Sequence, residues 1–136
     1  MPTLQLKVSP SQTPERCQQL AASLTKLTAK LLGTRAEVTA VTIDLLPATH
    51  WFVGGAPVDR PTAMLDIAIT QGTNTVEEKT AFVAAVFAEL QHLLADAGQL
   101  HDASYVTVRE VPATDWGYGG MTQAGRKLAT APMRHK

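Results

Sequence analysis

The sequence predicts a single α/β domain made of two tandem βαβ units, with four strands in one sheet and both helices on one face. Three observations support this fold class: the chain has 136 residues, one motif occurs twice, and each half repeats one pattern of strand, helix and strand. Two strands joined through one helix form a parallel, right-handed crossover. The sheet face without helices predicts contact with partner subunits.

The internal repeat is the strongest signal in the chain. Pro-Ala-Thr-x-Trp followed by x-x-Gly-Gly occurs at 47–55 and again at 112–120, a shift of 65 residues. Both tryptophans of the protein lie in this motif. Near the start, Leu4–Val8 matches Leu65–Ile69 at a shift of 61 residues. A tandem duplication explains this order. The predicted boundaries are repeat one over 1–60, repeat two over 61–127 and a short tail over 128–136.

The first unit opens with a strand and a helix. Apolar residues alternate with polar ones over Leu4–Val8, which predicts a strand with one buried face. Thr13 as N-cap and Pro14 at the first helical position predict a helix that ends at Gly33. Its apolar stripe, and therefore its predicted core face, consists of Cys17, Leu20, Leu24, Leu27 and Leu31.

The second unit repeats this pattern. Thr75 and Glu78 form a capping box, and Gly98 is expected to end the second helix. The apolar stripe of that helix consists of Val83, Val86, Phe87, Leu90 and Leu94. Runs rich in β-branched residues predict the second strand of each unit at Val38–Leu46 and Tyr105–Val111.

Composition excludes several classes of function. Lys and Arg together number 12, as do Asp and Glu, so the chain lacks the basic excess of a nucleic-acid-binding protein. No apolar run approaches the roughly 18–20 residues that span a bilayer, and the amino-terminal sequence lacks a signal-peptide pattern. The single cysteine, Cys17, predicts neither a disulfide nor a zinc site. We expect a cytoplasmic protein that binds neither nucleic acid nor membrane.

The order of these features resembles the tautomerase superfamily. Pro2 follows the initiator methionine directly, and each unit ends in a hairpin with Gly-Gly. From Leu65 to Gly120 the chain is similar to a 4-oxalocrotonate tautomerase unit, with Trp116 ahead of Gly-x-Gly-Gly, and the first half is also similar to macrophage migration inhibitory factor. The resemblance reaches about Lys127. It implies a fused, double-length 4-oxalocrotonate tautomerase homologue that forms a homotrimer and needs no cofactor.

Pro2 is the main candidate for catalysis. Once Met1 is removed, Pro2 carries a free secondary amine. An α-amino group has a pKa of about 7.7–8.0, and burial in an apolar pocket lowers that pKa. Such an amine acts as a general base near neutral pH, the role that the resemblance implies. The ordinary explanation of a proline here is that it permits removal of Met1. Since Ala63 matches Pro2 in the second unit, we expect one working site per chain.

The chain lacks the arginines with which the resembled tautomerases bind diacids. Gln12 and Thr73 follow the first strand of each unit, and Ala40 and Tyr105 occupy the second arginine position. This loss argues against a dicarboxylate substrate. The resemblance to migration inhibitory factor and to the dehalogenase branch implies that Tyr105 borders the pocket and hydrogen-bonds substrate or water. The alternative is a half-buried strand tyrosine that packs against a neighbour.

Three further residues are candidates for substrate binding. The resemblance implies that Trp116 forms a wall of the pocket and keeps it dry. Arg35 stands near the place of a pocket lysine in migration inhibitory factor, where it either holds a carboxylate or is a solvated loop residue. Arg109 shares a strand face with Tyr105, where it either supplies positive charge or pairs with an acid across the trimer.

The sequence therefore favours a cofactor-independent isomerase. It would move a proton between carbon and oxygen of a small 2-keto or enol acid, or of a carbonyl compound, through Pro2. One alternative is a hydratase, dehalogenase or decarboxylase of the same superfamily, acting on a small acid. The other is a catalytically silent oligomer that keeps the fold for binding or assembly. The expected partners are a small-molecule substrate and further copies of the chain.

Overall fold

The computed structural model describes residues 2–95 and 98–130 of the chain. Of the predicted tail, residues 131–136 lie outside the described residues. The helices are α1 (Pro14–Leu32), α2 (Val76–Leu94) and α3 (Gln123–Thr130). The strands are β1 (Thr3–Ser9), β2 (Ala40–Leu45), β3 (Phe52–Val53), β4 (Ala56–Pro57), β5 (Thr62–Thr70), β6 (Tyr105–Val111), β7 (Gly117–Tyr118) and β8 (Met121–Thr122).

Four strands form one mixed sheet in the order β2-β1-β5-β6. β1 runs parallel to β2, and β5 runs parallel to β6, each pair joined through one helix. The two units meet where β1 pairs antiparallel with β5, with Leu6 opposite Leu65. This topology confirms the predicted α/β fold class. No helix within residues 2–95 and 98–130 is long and apolar enough to cross a membrane.

The two long helices, α1 and α2, cover the same face of the sheet. The buried side chains of β1 and β5 on that face join the buried faces of α1 and α2 in one core. The contributing strand residues are Leu4, Leu6, Val8, Ala63, Leu65, Ile67 and Ile69. Burying one such side chain stabilises the fold by about 1.5–3 kcal/mol for Leu or Ile. The opposite face carries the alternate, mostly polar residues and is open to solvent.

The buried face of α1 differs from the predicted stripe. Cys17 was expected in the core, but it is only half-buried, as are Leu27 and Leu31. The helix turns Thr28 toward the sheet instead. The Thr28 hydroxyl donates to the carbonyl of Leu24 at 2.6 Å, so its burial leaves no unpaired polar group.

The prediction for α2 was wrong at one core position and at its end. Phe82 is fully buried, whereas Val83 is 38% exposed, because two adjacent apolar residues can serve the same helix face and only packing selects between them. The helix ends at Leu94 with Ala95 as its cap, before the predicted Gly98. The capping box of Thr75 with Glu78 is confirmed.

The boundary between α1 and β2 also differs from the prediction. Residues Ala36–Val38 form a 3-10 turn, so β2 begins at Ala40 rather than Val38. Gly33 ends α1 in the left-handed conformation, as predicted. The glycine pairs at 54–55 and 119–120 have φ between +62° and +82°, which the tight β3–β4 and β7–β8 hairpins require.

Polar side chains connect the start of α2 to its surroundings. Asn74 donates to the carbonyl of Leu32 at the end of α1. Lys79 forms an ion pair with Glu110 of β6, and the Glu110 carboxylate also accepts the N–H of Gly72. These contacts with Lys79 and Gly72 hold the pKa of Glu110 below its ordinary value.

We predict that Glu110→Gln lowers the thermal midpoint of unfolding at pH 7 but has little effect at pH 3. A carboxyl group with a lowered folded-state pKa stabilises the fold above its ordinary pKa of 4.5, and this contribution is lost as the pH falls further. Calorimetry at both pH values measures the difference. The control is Glu37→Gln, which removes an exposed ion pair with Arg35. It should leave the thermal midpoint of unfolding unchanged at both pH values. An equal loss at pH 7 and pH 3 would contradict the prediction.

Candidate active site

Pro2 is buried at the start of the central strand β1. Its carbonyl oxygen accepts the N–H of Ala40, the first residue of β2, at 3.3 Å. On its other side the register of Thr3 opposite Ala68 brings Pro2 beside the end of β5, next to Ile69. Pro2 thus lies between two strands, and the alternation of β1 places it on the helix-covered face.

The loop between α1 and β2 lies beside Pro2. The carbonyl of Arg35 accepts the hydroxyl proton of Thr39 at 2.7 Å, which closes this loop around its 3-10 turn. The Arg35 guanidinium is 3.6 Å from the Glu37 carboxylate, and its side chain is 60% exposed. The predicted residue Arg35 is therefore at the same end of the sheet as Pro2, in a weak and solvated ion pair.

A groove of about 720 Å³ runs between α1 and β2 and reaches this loop. Small apolar residues form most of its wall, together with Thr39 and two lysines. The lysines are Lys26 and Lys30, one helical turn apart on α1. Within the described part of the chain, neither lysine takes part in an ion pair. The groove thus carries positive charge with no paired acid among the described residues and extends to Thr39, which directly precedes the β2 residue that bonds the Pro2 carbonyl.

Arg109 lies at the Pro2 end of the sheet, but on the open face. It is opposite Ala68 of β5, which in turn is opposite Thr3. Its guanidinium contacts the Asp66 carboxylate at 2.5 Å, so the charge of Arg109 is paired within its own chain. The acid partner that the sequence left open is a neighbour on the adjacent strand.

Trp116 also lies toward the Pro2 end, where β6 finishes opposite Thr70. Its ring is partly buried, and its indole nitrogen Nε1 is buried with no hydrogen-bond partner among the described residues. Since β6 is two strands from β1, roughly 10 Å separate the two strands. The unpaired indole N–H is suited to an acceptor from a ligand or a neighbouring subunit.

Tyr105 lies at the opposite end of the sheet. It is opposite Met64, which is opposite Lys7 of β1, five residues and about 17 Å along the strand from Pro2. The Tyr105 side chain is 61% exposed on the open face, beside a cavity of about 230 Å³, so it is not half-buried within its own chain. One chain does not bring Tyr105 and Pro2 together.

The second unit has the geometry of the Pro2 site without the proline. Ala63 matches Pro2, is fully buried, and donates its N–H to the Ser104 hydroxyl at 3.0 Å. Ser104 is also buried and directly precedes β6, as Thr39 directly precedes β2. The nitrogen of Ala63 is an ordinary peptide nitrogen, so the second unit has no free α-amine at this position.

Sequence reasoning did not identify Thr39, Lys26 or Lys30 as site residues. The signal for Thr39 was its repeat partner Ser104, a second hydroxyl residue directly before a second strand. The lysines carry no such signal, because helix packing decides which of them line the groove. Across the described ranges, no group of three or more His, Cys, Asp or Glu side chains is arranged to hold a metal ion.

Comparisons with known proteins agree on one fold. No protein-family model and no curated protein sequence matches the chain. A native fused 4-OT (4-oxalocrotonate tautomerase) structure is 30% identical, with a TM-score of 0.72 over 93% of this chain and 98% of that chain. A wild-type fused 4-OT asymmetric trimer is 27% identical, with a TM-score of 0.75 and the same coverage. A member of the cis-3-chloroacrylic acid dehalogenase family is similar in fold, at 20% identity and a TM-score of 0.74 over 96% of this chain and 92% of that chain.

We predict that Ser104→Ala lowers the free energy of unfolding by about 1–3 kcal/mol, because it leaves the buried N–H of Ala63 without an acceptor. Urea unfolding measures the loss. The control is Thr73→Ala, which removes an exposed hydroxyl that donates to the carbonyl of Thr70 and should cost at most about 0.5 kcal/mol. Equal, small losses for the two variants would refute the prediction.

Proposed function

Since the chain belongs to the tautomerase superfamily, with fused 4-OT proteins among its relatives, we propose that it is a cofactor-independent tautomerase of a small 2-keto or enol acid. Pro2, freed by removal of Met1, is the proposed general base and acid. The observation that carries this proposal is the buried position of Pro2 at the start of β1. Burial disfavours the charged form of an amine, so a larger fraction is neutral near pH 7.

The proposed reaction moves one proton and leaves the composition of the substrate unchanged. The neutral Pro2 nitrogen takes a proton from the enol oxygen or the adjacent carbon and becomes a cation. It then returns a proton to the other atom, which regenerates the neutral amine. A base whose pKa lies near the working pH performs both transfers well. The apolar surroundings of Pro2, which include Ile69, keep competing water away.

Lys30 is the proposed partner of the substrate carboxylate. It lines the groove that Thr39 also lines, in the last turn of α1. Its charge is free, whereas Arg35 faces Glu37 and Arg109 is engaged by Asp66. Arg35 stays a second candidate, because its exposed ion pair is weak and a carboxylate could compete for it. Of the two lysines in the groove, only Lys30 lies in the turn next to the loop, which favours a substrate with one carboxylate.

Trimer formation is part of the proposal. A wild-type fused 4-OT with which this chain shares 27% identity is an asymmetric trimer. The open sheet face supports subunit contact here, because Met64 and Tyr105 are large, exposed apolar or aromatic residues on it. Since Tyr105 is about 17 Å along the sheet from Pro2 of its own chain, we infer that it acts at the Pro2 of another subunit. The indole N–H of Trp116 gains its acceptor in the same assembly.

We predict that the wild-type protein catalyses the ketonisation of phenylenolpyruvate and that Pro2→Ala lowers kcat/KM at least about 100-fold, the usual contribution of a positioned general base. Ultraviolet absorbance follows the reaction. Intact mass measures removal of Met1, and native mass spectrometry measures the trimer.

Two outcomes would contradict this proposal. Full activity in Pro2→Ala would exclude Pro2 as the base. A wild-type protein that has lost Met1 and forms trimers, yet has no activity, would favour a hydratase, dehalogenase or decarboxylase, or a silent oligomer.

We further predict that Lys30→Gln raises KM for phenylenolpyruvate about tenfold with little change in kcat, since a hydrogen bond to a charged group is worth about 1.5–3 kcal/mol. Lys26→Gln is the matched control. It removes the same charge from the same groove one turn farther from the loop, and should change KM by no more than about twofold. Equal effects in both variants would assign the lysines to general attraction of anions.

A further inference from the structure

We propose that Thr39 is a positioning residue for the Pro2 amine. Its hydroxyl oxygen accepts the N–H that Pro2 acquires when Met1 is removed, and this bond leaves the nitrogen lone pair free for the substrate. The inference rests on the proposed role of Pro2 as the general base. It adds a residue that has no counterpart among the candidate site residues identified in the sequence.

The second repeat contains this hydrogen bond already. There the N–H of Ala63 donates to the Ser104 hydroxyl at 3.0 Å, with both residues buried. Ala63 is the repeat partner of Pro2, and Ser104 is the repeat partner of Thr39. The strand register agrees, because Met64 is opposite Tyr105 in one unit and Thr3 is opposite Ala40 in the other.

The backbone presents the two hydroxyl groups in the same way. In the first unit the N–H of Thr39 donates to the carbonyl of Ala36 at 3.2 Å. In the second unit the N–H of Ser104 donates to the carbonyl of His101 at 3.0 Å. Each hydroxyl residue thus ends the same three-residue turn and directly precedes a strand that runs parallel to its partner. In this proposal the equivalent turns and strand registers bring the Thr39 hydroxyl to the Pro2 nitrogen as they bring the Ser104 hydroxyl to the nitrogen of Ala63.

The Thr39 hydroxyl is prepared to accept this hydrogen bond. Its own proton is donated to the carbonyl of Arg35 at 2.7 Å, so the lone pairs of its oxygen are left for a donor. A proline nitrogen in a peptide bond carries no hydrogen and cannot donate. Removal of Met1 turns the Pro2 nitrogen into an amine with an N–H, so the bond forms only in the processed protein.

The acceptor should act on both geometry and basicity. A hydrogen bond to Thr39 fixes the orientation of the amine, and it favours the protonated form, which opposes the effect of burial on the Pro2 pKa. The substitution tested below changes no charge. The charged groups on the elements around this end of the sheet include Lys30 of α1, Arg35 and Glu37 of the following loop, Glu78 and Lys79 of α2, Asp66 of β5, Arg109 and Glu110 of β6, and Arg126 and Lys127 of α3.

The test is a titration of Pro2 by NMR in protein labelled with ¹⁵N-proline and verified by intact mass to lack Met1. Thr39→Val keeps the shape of the side chain without the hydroxyl, and should lower the Pro2 pKa by about half to one pH unit. It should also lower kcat for phenylenolpyruvate about fivefold to tenfold with little change in KM, the pattern of a misoriented base. Thr39→Ser, which keeps the hydroxyl, should restore both values.

Ser104→Ala is the matched control, because it removes the same hydrogen bond from the repeat that has no amine. It should weaken folding and leave the Pro2 titration and kcat unchanged. Thr39→Ala provides a second variant without the hydroxyl should Thr39→Val fail to fold. An identical Pro2 pKa in the wild type and in the folded variants without the hydroxyl would overturn the proposal.

The titration also distinguishes this inference from the proposed function. It needs no turnover, so an inactive wild type whose Pro2 pKa still falls in Thr39→Val would reject the tautomerase activity and support the hydrogen bond. Conversely, if the enzyme is active but its kcat and Pro2 pKa are the same with and without the Thr39 hydroxyl, the tautomerase activity is supported and the positioning role is rejected.

Discussion

The antiparallel pairing of β1 with β5 joins the two units, and the position of every other element depends on it. The register runs from Thr3 opposite Ala68 to Ser9 opposite Thr62. A slip by one residue would turn the core leucines of β1 to the open face and remove the surface that both helices cover. Because the pairing is antiparallel, the start of β1 meets the end of β5. Pro2 is therefore enclosed in the middle of the sheet rather than exposed at its edge.

The same pairing creates two equivalent ends of the sheet, which differ in the residue at the matching position of each unit: Pro2 at one end and Ala63 at the other. At one end, Ser104 accepts the N–H of Ala63, a hydrogen bond that the folded chain makes by itself. At the other end, Pro2 has no N–H to offer Thr39 until Met1 is removed. In our proposal one copy of the local geometry stabilises the fold, and the other copy holds a reactive amine. This division explains why one chain of doubled length would contain one working site.

Features that depend on neighbouring residues in the sequence were predictable, and those that depend on register or on helix rotation were not. Caps and alternation predicted α1, α2 and the strands of the sheet, and the repeat predicted two parallel units in one sheet, but not the strand order or the antiparallel pairing of β1 with β5. The separation of Tyr105 from Pro2 requires the register of three strands, which no local pattern contains. The pairing of Arg109 with Asp66 depends on the same register. Lys30 was missed because its access to the groove is a property of how α1 packs on β2.

The balance of charge around Pro2 connects the choice of substrate to the basicity of the amine. Each fixed cation near an amine disfavours protonation of that amine. A site with several free arginines would therefore need the two negative charges of a bound diacid before the amine could be protonated. Here Arg35 and Arg109 face acids of their own chain, whereas Lys30, in the last turn of α1, takes part in no ion pair within the described structure. A substrate with one carboxylate would neutralise Lys30 on binding. The Pro2 amine would then gain its proton without an uncompensated positive charge beside it. Such a balance suits an amine that must both accept and return a proton.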